Sequence, residues 1–268
     1  MVRSATERAF IPTRHLLEEF GDMMILTGRT VWSALRPPYG YGGELVSQFL
    51  FALRLVWFPL LISTVAINYG APGLQAGDFL TLFGALDRLG GFFVLAAIRE
   101  IGPLITSIVV AGVAGTAITA DLGARKIREE LDALAVLGVD PIKNLVVPRF
   151  LALMGLTALY DIYALTFGTL GGVLITIQNH APVAPFFNTF FTNATPPELA
   201  ASLMKTALFG AIIAIVCCYK GLTASGGAEG VGRAVNQAVV IAFLGIGIFN
   251  YIFTQTLLAT HPSLSMVR

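Results

Sequence analysis

Five apolar stretches organise this chain, at roughly 46–67, 91–120, 145–177, 199–218 and 235–259. Each reaches the ~20 residues that an α-helix needs to cross a bilayer. Two are longer still. At ~1.5 Å per residue a 30-residue helix reaches about 45 Å, against a hydrocarbon core of about 30 Å. Such helices must tilt, break or project from the membrane, and Gly102-Pro103 is a candidate break in the second. Proline there removes a backbone donor and glycine adds freedom. Ahead of the first stretch, residues 14–36 place Leu16, Leu17, Phe20, Met23, Met24, Val31, Trp32 and Leu35 near a 3.6-residue period. Glu18, Glu19, Asp22 and Arg29 fall largely on another face. The pattern predicts an interfacial helix along one leaflet, with a soluble helix packed on the loops as the alternative. Pro37-Pro38 ends it. The reading is an all-α membrane protein: an N-terminal interfacial segment over 1–43, then a five-span domain over 44–268.

Composition agrees. The 268 residues are 56% hydrophobic and 12% charged, about half the charge of a soluble domain. A net charge of +1 argues against a nucleic-acid partner. The placement of cations gives direction. Arg3, Arg8, Arg14, Arg29 and Arg36 precede the first stretch, and only Arg88 lies between the first and second. Arg125, Lys126, Arg128, Lys143 and Arg149 follow the second, and the 178–199 connection has no Lys or Arg. Lys220 and Arg233 flank the loop after the fourth, and Arg268 ends the chain. The alternation predicts five crossings with the N-terminus inside and the C-terminus outside. No compact apolar run with a small-residue cleavage site follows the N-terminal arginines, so a cleaved signal peptide is not expected.

The charge concentrates between 121 and 149, in DLGARKIREELDALAVLGVDPIKNLVVPR. Over 124–137, Ile127, Leu131, Leu134 and Ala135 fall on one side of a helix, and Arg128, Glu129 and Asp132 fall elsewhere. Gly138 suits the helix C-terminus and Pro141 sits just beyond. A short amphipathic helix followed by re-entry at Pro148-Arg149 is expected, or an ordinary solvated loop with some helix in it.

Catalytic chemistry is hard to find. There is no GxxxxGK[ST] phosphate loop, and Gly226-Gly227-Ala228-Glu229-Gly230-Val231-Gly232 follows no strand, so it reads as a turn between spans. His15, His180 and His261 are scattered, no metal site is expected, and adjacent Cys217 and Cys218 read as buried hydrophobes. Asn193-Ala194-Thr195 matches a glycosylation sequon, with Pro196 directly after it. Charges inside the apolar stretches carry more information, because each is costly there. Glu100 and Lys205 fall at similar depth in the outer half, where they could pair across helices or flank an amphiphile's path. Snorkelling to water is the alternative for them and for Arg99, and the expected behaviour of Arg54. Gly168-x-x-x-Gly172 and the small residues Ala111, Gly112, Ala114 and Gly115 suggest close helix contacts.

REIGP (Arg99 to Pro103), the run from Ala111 to Arg149, Lys205 to Gly210, and CYKGLTASGGAEGVGRAVNQAVV (Cys218 to Val240) together resemble the MlaE/YrbE permeases. These are membrane subunits of ABC transporters that work with MCE-domain proteins, and the GLTASGGAEGVG loop is most similar to the actinobacterial YrbE branch. The resemblance covers the second to fifth stretches. It implies a permease that moves a hydrophobic lipid such as a phospholipid, fatty or mycolic acid, or sterol, in a bacterial plasma membrane. It implies as partners a second, paralogous permease, an ABC ATPase dimer that holds the ATP and Mg²⁺, and an MCE hexamer. No cofactor and no catalysis are expected on this chain. By the same resemblance 121–141 is the coupling helix that sits in the ATPase, with Arg128, Glu129, Glu130, Asp132, Leu134 and Gly138 at its core. Arg99, Glu100 and Lys205 flank the substrate path, and the first, second and fifth spans line a pocket at the dimer interface. The rival readings are a secondary transporter driven by an ion gradient through Glu100, a lipid-modifying enzyme, and a structural anchor.

Overall fold

In a computed structural model, which describes residues 5–261 and the side chains from Leu17 onward, the described residues form eight helices and no strand. Arg3 and Arg268, counted above for direction, lie outside these residues, as do the side chains of Arg8, Arg14, His15 and Leu16. Helix α1 runs Ala5–Leu35. The five spans are α2 (Gly42–Leu82), α3 (Leu86–Ile127), α5 (Ile142–Gln178), α7 (Pro196–Leu222) and α8 (Gly227–Thr260). Two short helices complete the set, α4 (Glu130–Val136) and α6 (Val183–Asn193). The chain is a multi-pass membrane protein.

The spans outrun the apolar stretches because helix continues past prolines by way of π-wound segments. In α2, Pro72 falls within a π-wound segment, Tyr69–Gln75, so the helix widens and goes on to Leu82. In α3 the expected break at Gly102-Pro103 is a π-wound segment too, Val94–Ile101, with α-helix resuming at Gly102. A second π segment covers Ala111–Gly115. The glycine-rich run after α7 is mostly helix rather than turn. Only Thr223–Gly226 is irregular, and Gly226 and Gly227 take the positive φ that closes the turn (87° and 69°).

The α5 helix is central, packed against α2 on one side and α7 on the other, while α8 covers α7 and α3. Glycine sets how close these helices come. A Cβ on Gly210 of α7 would lie 2.5 Å from the Leu153 carbonyl oxygen of α5, and one on Gly171 would lie 2.5 Å from the backbone nitrogen of Tyr69 in α2. Gly171, rather than the Gly168 and Gly172 of the spaced motif, admits the α2 backbone. Gly168 makes room for the Asn68 side chain, and Gly172 for the rings of Phe186 and Phe93. Of the small residues in α3, Ala111, Ala114 and Gly115 are buried, whereas Gly112 faces outward. The main core runs the length of these contacts and includes Val56, Val110, Leu153, Leu156, Phe209 and Ile213. A second apolar cluster closes the end away from α4, where Phe186 and Phe190 of α6 pack on Leu89, Phe93 and Ile175.

Burial is uneven. The most apolar windows of α3 and α7 are 56% buried, those of α2 and α8 only 22% and 17%. Both outer spans therefore present broad apolar faces to lipid or to another subunit. Arg54 points outward from α2, exposed and, among the described residues, with no ion-pair partner.

Helix α1 is two-faced. Met23, Leu26 and Thr30 pack into the bundle, while Leu17, Phe20, Met24, Val31 and Leu35 are exposed on the opposite side. The apolar stripe expected from the sequence thus splits, with Met23 turned inward. Glu19 pairs with Lys220 of α7, Lys220 also donates to Gln237 of α8 at 3.0 Å, and Tyr219 donates to Asp22 at 3.3 Å. These contacts tie α1 to the bundle beside a cleft of about 850 Å³.

Candidate functional site

Two charged constellations stand out, at opposite ends of α3. Nearer the α6 end, the π winding of Val94–Ile101 presents Arg99 and Glu100 toward α7 and α8. Arg99 reaches Glu198 through both Nη2 (2.6 Å) and Nε (2.8 Å), a nearly buried pair. The Glu100 carboxylate gathers three donors: Lys205 Nζ at 3.3 Å, Thr254 Oγ1 at 2.7 Å and Asn250 Nδ2 at 2.7 Å. Lys205 is buried and donates as well to the Arg99 carbonyl at 2.7 Å. That carbonyl has no α-helical donor, because the nitrogen four residues on belongs to Pro103 and has no hydrogen. The cation is therefore held by a backbone defect as well as by a carboxylate.

Glu100 and Lys205, predicted to lie at one depth, are brought together, and Arg99 joins them through its backbone. Snorkelling to water is not how these charges are satisfied. Sequence reasoning missed Glu198, Asn250, Thr254, Asp161 and Ser202. Glu198 follows Pro196-Pro197 and reads as a loop residue, while Asn250 and Thr254 carry no charge to flag them. Asp161 could have been found, being the one Asp, Glu, Lys or Arg within the third apolar stretch past Arg149. Glu100 is the member that solvent or a ligand can reach, with 32% of its side chain exposed against 2% for Lys205.

The second constellation surrounds α4. The expected single helix over 124–137 is two elements: α3 runs on through Ile127, the chain turns at Arg128 and Glu129, and α4 starts at Glu130. Glu129 sits in the left-handed region (φ 60°), which interrupts the helical path. Ile127 and Ala135 are consequently exposed, and only Leu131 and Leu134 pack inward. Gly138 closes α4 with positive φ (75°), Val139 N donating to Leu134 O at 3.0 Å and Gly138 N to Ala135 O at 3.1 Å. This is a Schellman closure, for which glycine is the favoured residue. The charges are tied locally, Arg128 to Glu130 at 2.8 Å and Lys126 to Asp132 at 3.2 Å. Val136 and Leu137 are left bare, 88% and 76% exposed. Behind α4, the buried Arg149 of α5 donates to Asp121 of α3 at 2.7 Å and to the Leu145 carbonyl at 2.8 Å, with Glu44 of α2 3.8 Å away. Arg149 thus ties the end of α3 that leads into α4 to α5, beside α2, while the tip of α4 projects.

Comparison with known proteins is consistent with this architecture. A family model described as Permease MlaE matches residues 47–256. A protein of Rickettsia bellii named "Probable ABC transporter permease protein" is 30% identical over 91% of this chain and 93% of its own length. A Synechocystis protein of the same descriptive name is 38% identical over 66% of this chain and 68% of its own. An Arabidopsis thaliana protein, TRIGALACTOSYLDIACYLGLYCEROL 1, chloroplastic, is 35% identical over 65% of this chain and 50% of its own. With the match running from the start of α2 almost to the end of α8, the chain belongs to the MlaE permease family.

Proposed function

We propose that this chain is the permease subunit of an ABC transporter that moves an amphiphilic lipid, with ATP and Mg²⁺ held by a separate ATPase. The observation that carries the reading is α4: a short helix that continues an α3 end tied to α5 through Asp121 and Arg149, with Val136 and Leu137 bare at its tip. A braced, protruding element with an uncovered apolar tip is shaped to receive force from a partner. The ATPase supplies that force, and α4 with its flanking residues from 121 to 141 is the coupling element. Arg128, Glu129, Glu130, Asp132, Leu134 and Gly138 shape it.

The lipid reading draws support from the bundle's other end. Apolar faces of α2 and α8 flank a strip of α3 in which Glu100 is the reachable charge. Acyl chains suit those faces, and a polar head suits Glu100 with Lys205, Asn250 and Thr254 around it. A relative bearing a glycolipid's name points the same way. Two such permeases, this chain and a paralogue, bury the open faces of α2 and α8 against each other. The ATPases sit at the α4 end in the cytoplasm of a bacterium, and an MCE hexamer sits on the far side of the plasma membrane.

The test is a mild-detergent pull-down of the chain from its native membrane, with mass spectrometry of its companions. Recovery of an ATPase with a phosphate-loop motif, MCE-domain chains and a second permease is expected. A chain that emerges alone from detergent and from lipid nanodiscs overturns the reading, and an ion-gradient carrier takes its place.

A further inference from the structure

A second carboxyl group lies beside Glu100's network but takes no part in it. Asp161 sits midway along α5 and is completely buried. Among the described residues it has no ion-pair partner, although charged residues stand on the helices packed against it: Arg99 and Glu100 on α3, Glu198 and Lys205 on α7. Those four pair with one another, Arg99 with Glu198 and Lys205 with Glu100. Its neighbour Tyr160 on α5 donates instead to the Leu53 carbonyl. The one hydrogen-bonding contact of Asp161 is Ser202 Oγ of α7, 2.6 Å from Oδ2, while Oδ1 has none.

Ser202 Oγ also lies 3.0 Å from the carbonyl oxygen of Ile98 in α3. That carbonyl has lost its backbone donors. The N–H four residues on, at Gly102, is turned to the Ala97 oxygen by the π winding. The nitrogen five residues on belongs to Pro103 and has no hydrogen. Ser202 is the donor that remains, and a hydroxyl has a single hydrogen to give. If it serves Ile98, the short Asp161–Ser202 contact must draw its hydrogen from Asp161.

We infer that Asp161 is a neutral carboxylic acid donating to Ser202, which in turn donates to the Ile98 carbonyl, and that this relay holds the π-wound turn presenting Arg99 and Glu100. An ionised Asp161 would instead take the serine hydrogen. It would leave a charge at mid-span, one carboxylate oxygen without a partner and a carbonyl orphaned, each unfavourable in a medium without water. Asp161 and Ser202 are positioning residues. Their protonation and hydrogen bonds stand independently of what the protein carries; only the link to substrate handling rests on the proposed function.

The experiment is infrared difference spectroscopy on the purified full-length chain in lipid nanodiscs, wild type minus D161N, with thermal midpoints measured on the same samples. The expected result is a protonated-carboxyl C=O band present in wild type and absent from D161N, unchanged across neutral pH. D161N should keep the wild-type midpoint, since its amide can also donate to Ser202, and S202A should lower it. A carboxylate band in place of the acid band overturns the inference, as does a D161N midpoint that falls as far as that of D161A. Neither readout needs an ATPase, so a failure here is separable from a failure of the transporter reading.

Discussion

Replacing Lys205 by methionine tests whether the network beside α3 is a single energetic unit. The substitution keeps the length of the side chain and removes three donations, to the Arg99 carbonyl (2.7 Å), Thr254 (3.1 Å) and Glu100 (3.3 Å). Breaking a buried pair by deleting one member costs about 3–5 kcal/mol, because the other charge is left uncompensated. Glu100 is 32% exposed and keeps Asn250 and Thr254, so water and those donors recover part of the loss. The lower end, about 3 kcal/mol, is expected. At about 2–4 °C per kcal/mol this lowers the thermal midpoint by about 6–12 °C, read by fluorescence-detected size exclusion after heating in lipid nanodiscs. Glu100→Gln strands the buried ammonium instead and should cost a similar amount. The double variant removes both charges and leaves mainly the Arg99 carbonyl unserved, so it should cost less than the two singles added together, by about 1–3 kcal/mol. Strict additivity would refute the reasoning, since it would mean that Lys205 and Glu100 do not sense each other.

Other parts of the fold make sharp predictions as well. Gly210→Ala forces its new Cβ against the Leu153 carbonyl and should cost about 1–3 kcal/mol in a thermal melt. Gly112→Ala meets nothing within 4 Å and should leave the melt unchanged or slightly raised. Glu130→Lys breaks a surface pair with Arg128, worth at most about 1 kcal/mol, so membrane insertion and the melt should survive while ATP-driven transport is lost. Normal transport by the well-expressed variant would sink the coupling role of α4. Lys220→Met removes the pair with Glu19 that ties α1 to α7 and should speed proteolysis between Ala5 and Leu35 without changing cleavage elsewhere.

The class of fold was legible because a bilayer allows few solutions: apolar length, cation placement and the density of charge at 121–149 already imply spans joined by an exposed element. The ends of those spans were not legible. Gly102-Pro103 reads as a break in one dimension, yet the helix passes it by a π turn whose donors and acceptors are rearranged, and nothing in local propensity announces that. The Glu100–Lys205 pair could be guessed from depth alone, whereas Asn250 and Thr254 needed the packing of α8 on α3 to bring them within reach. Asp161 is visible in sequence as a charge inside an apolar stretch, but its meaning depends on Ile98 and Ser202, which look ordinary there. The amphipathic pattern over 124–137 misled because it is continuous in sequence. The break depends on Glu129 adopting a positive φ that its residue type does not require.

The placement of the two constellations on one helix has a mechanical consequence. α3 joins directly to α4 through Arg128 and Glu129, and further along carries Ile98, Arg99 and Glu100. Between them lies the second π segment, where Gly115 approaches Cys217 and Ile213 of α7. Pro103 keeps the first π turn from migrating toward α4 without loss, because in π winding the Ile98 carbonyl would face a nitrogen without hydrogen. The carbonyls of Ile98 and Arg99 are instead held from α7, one turn apart, by Ser202 and Lys205. Axial movement of α3 against α7 at this point therefore breaks both bonds. Packed elements of this kind have discrete arrangements rather than a continuum. On the proposed function, ATP-driven displacement of α4 selects between two settings of the α3–α7 contact. Glu100, whose carboxylate depends on Lys205 and α8 together, changes its surroundings when that contact changes.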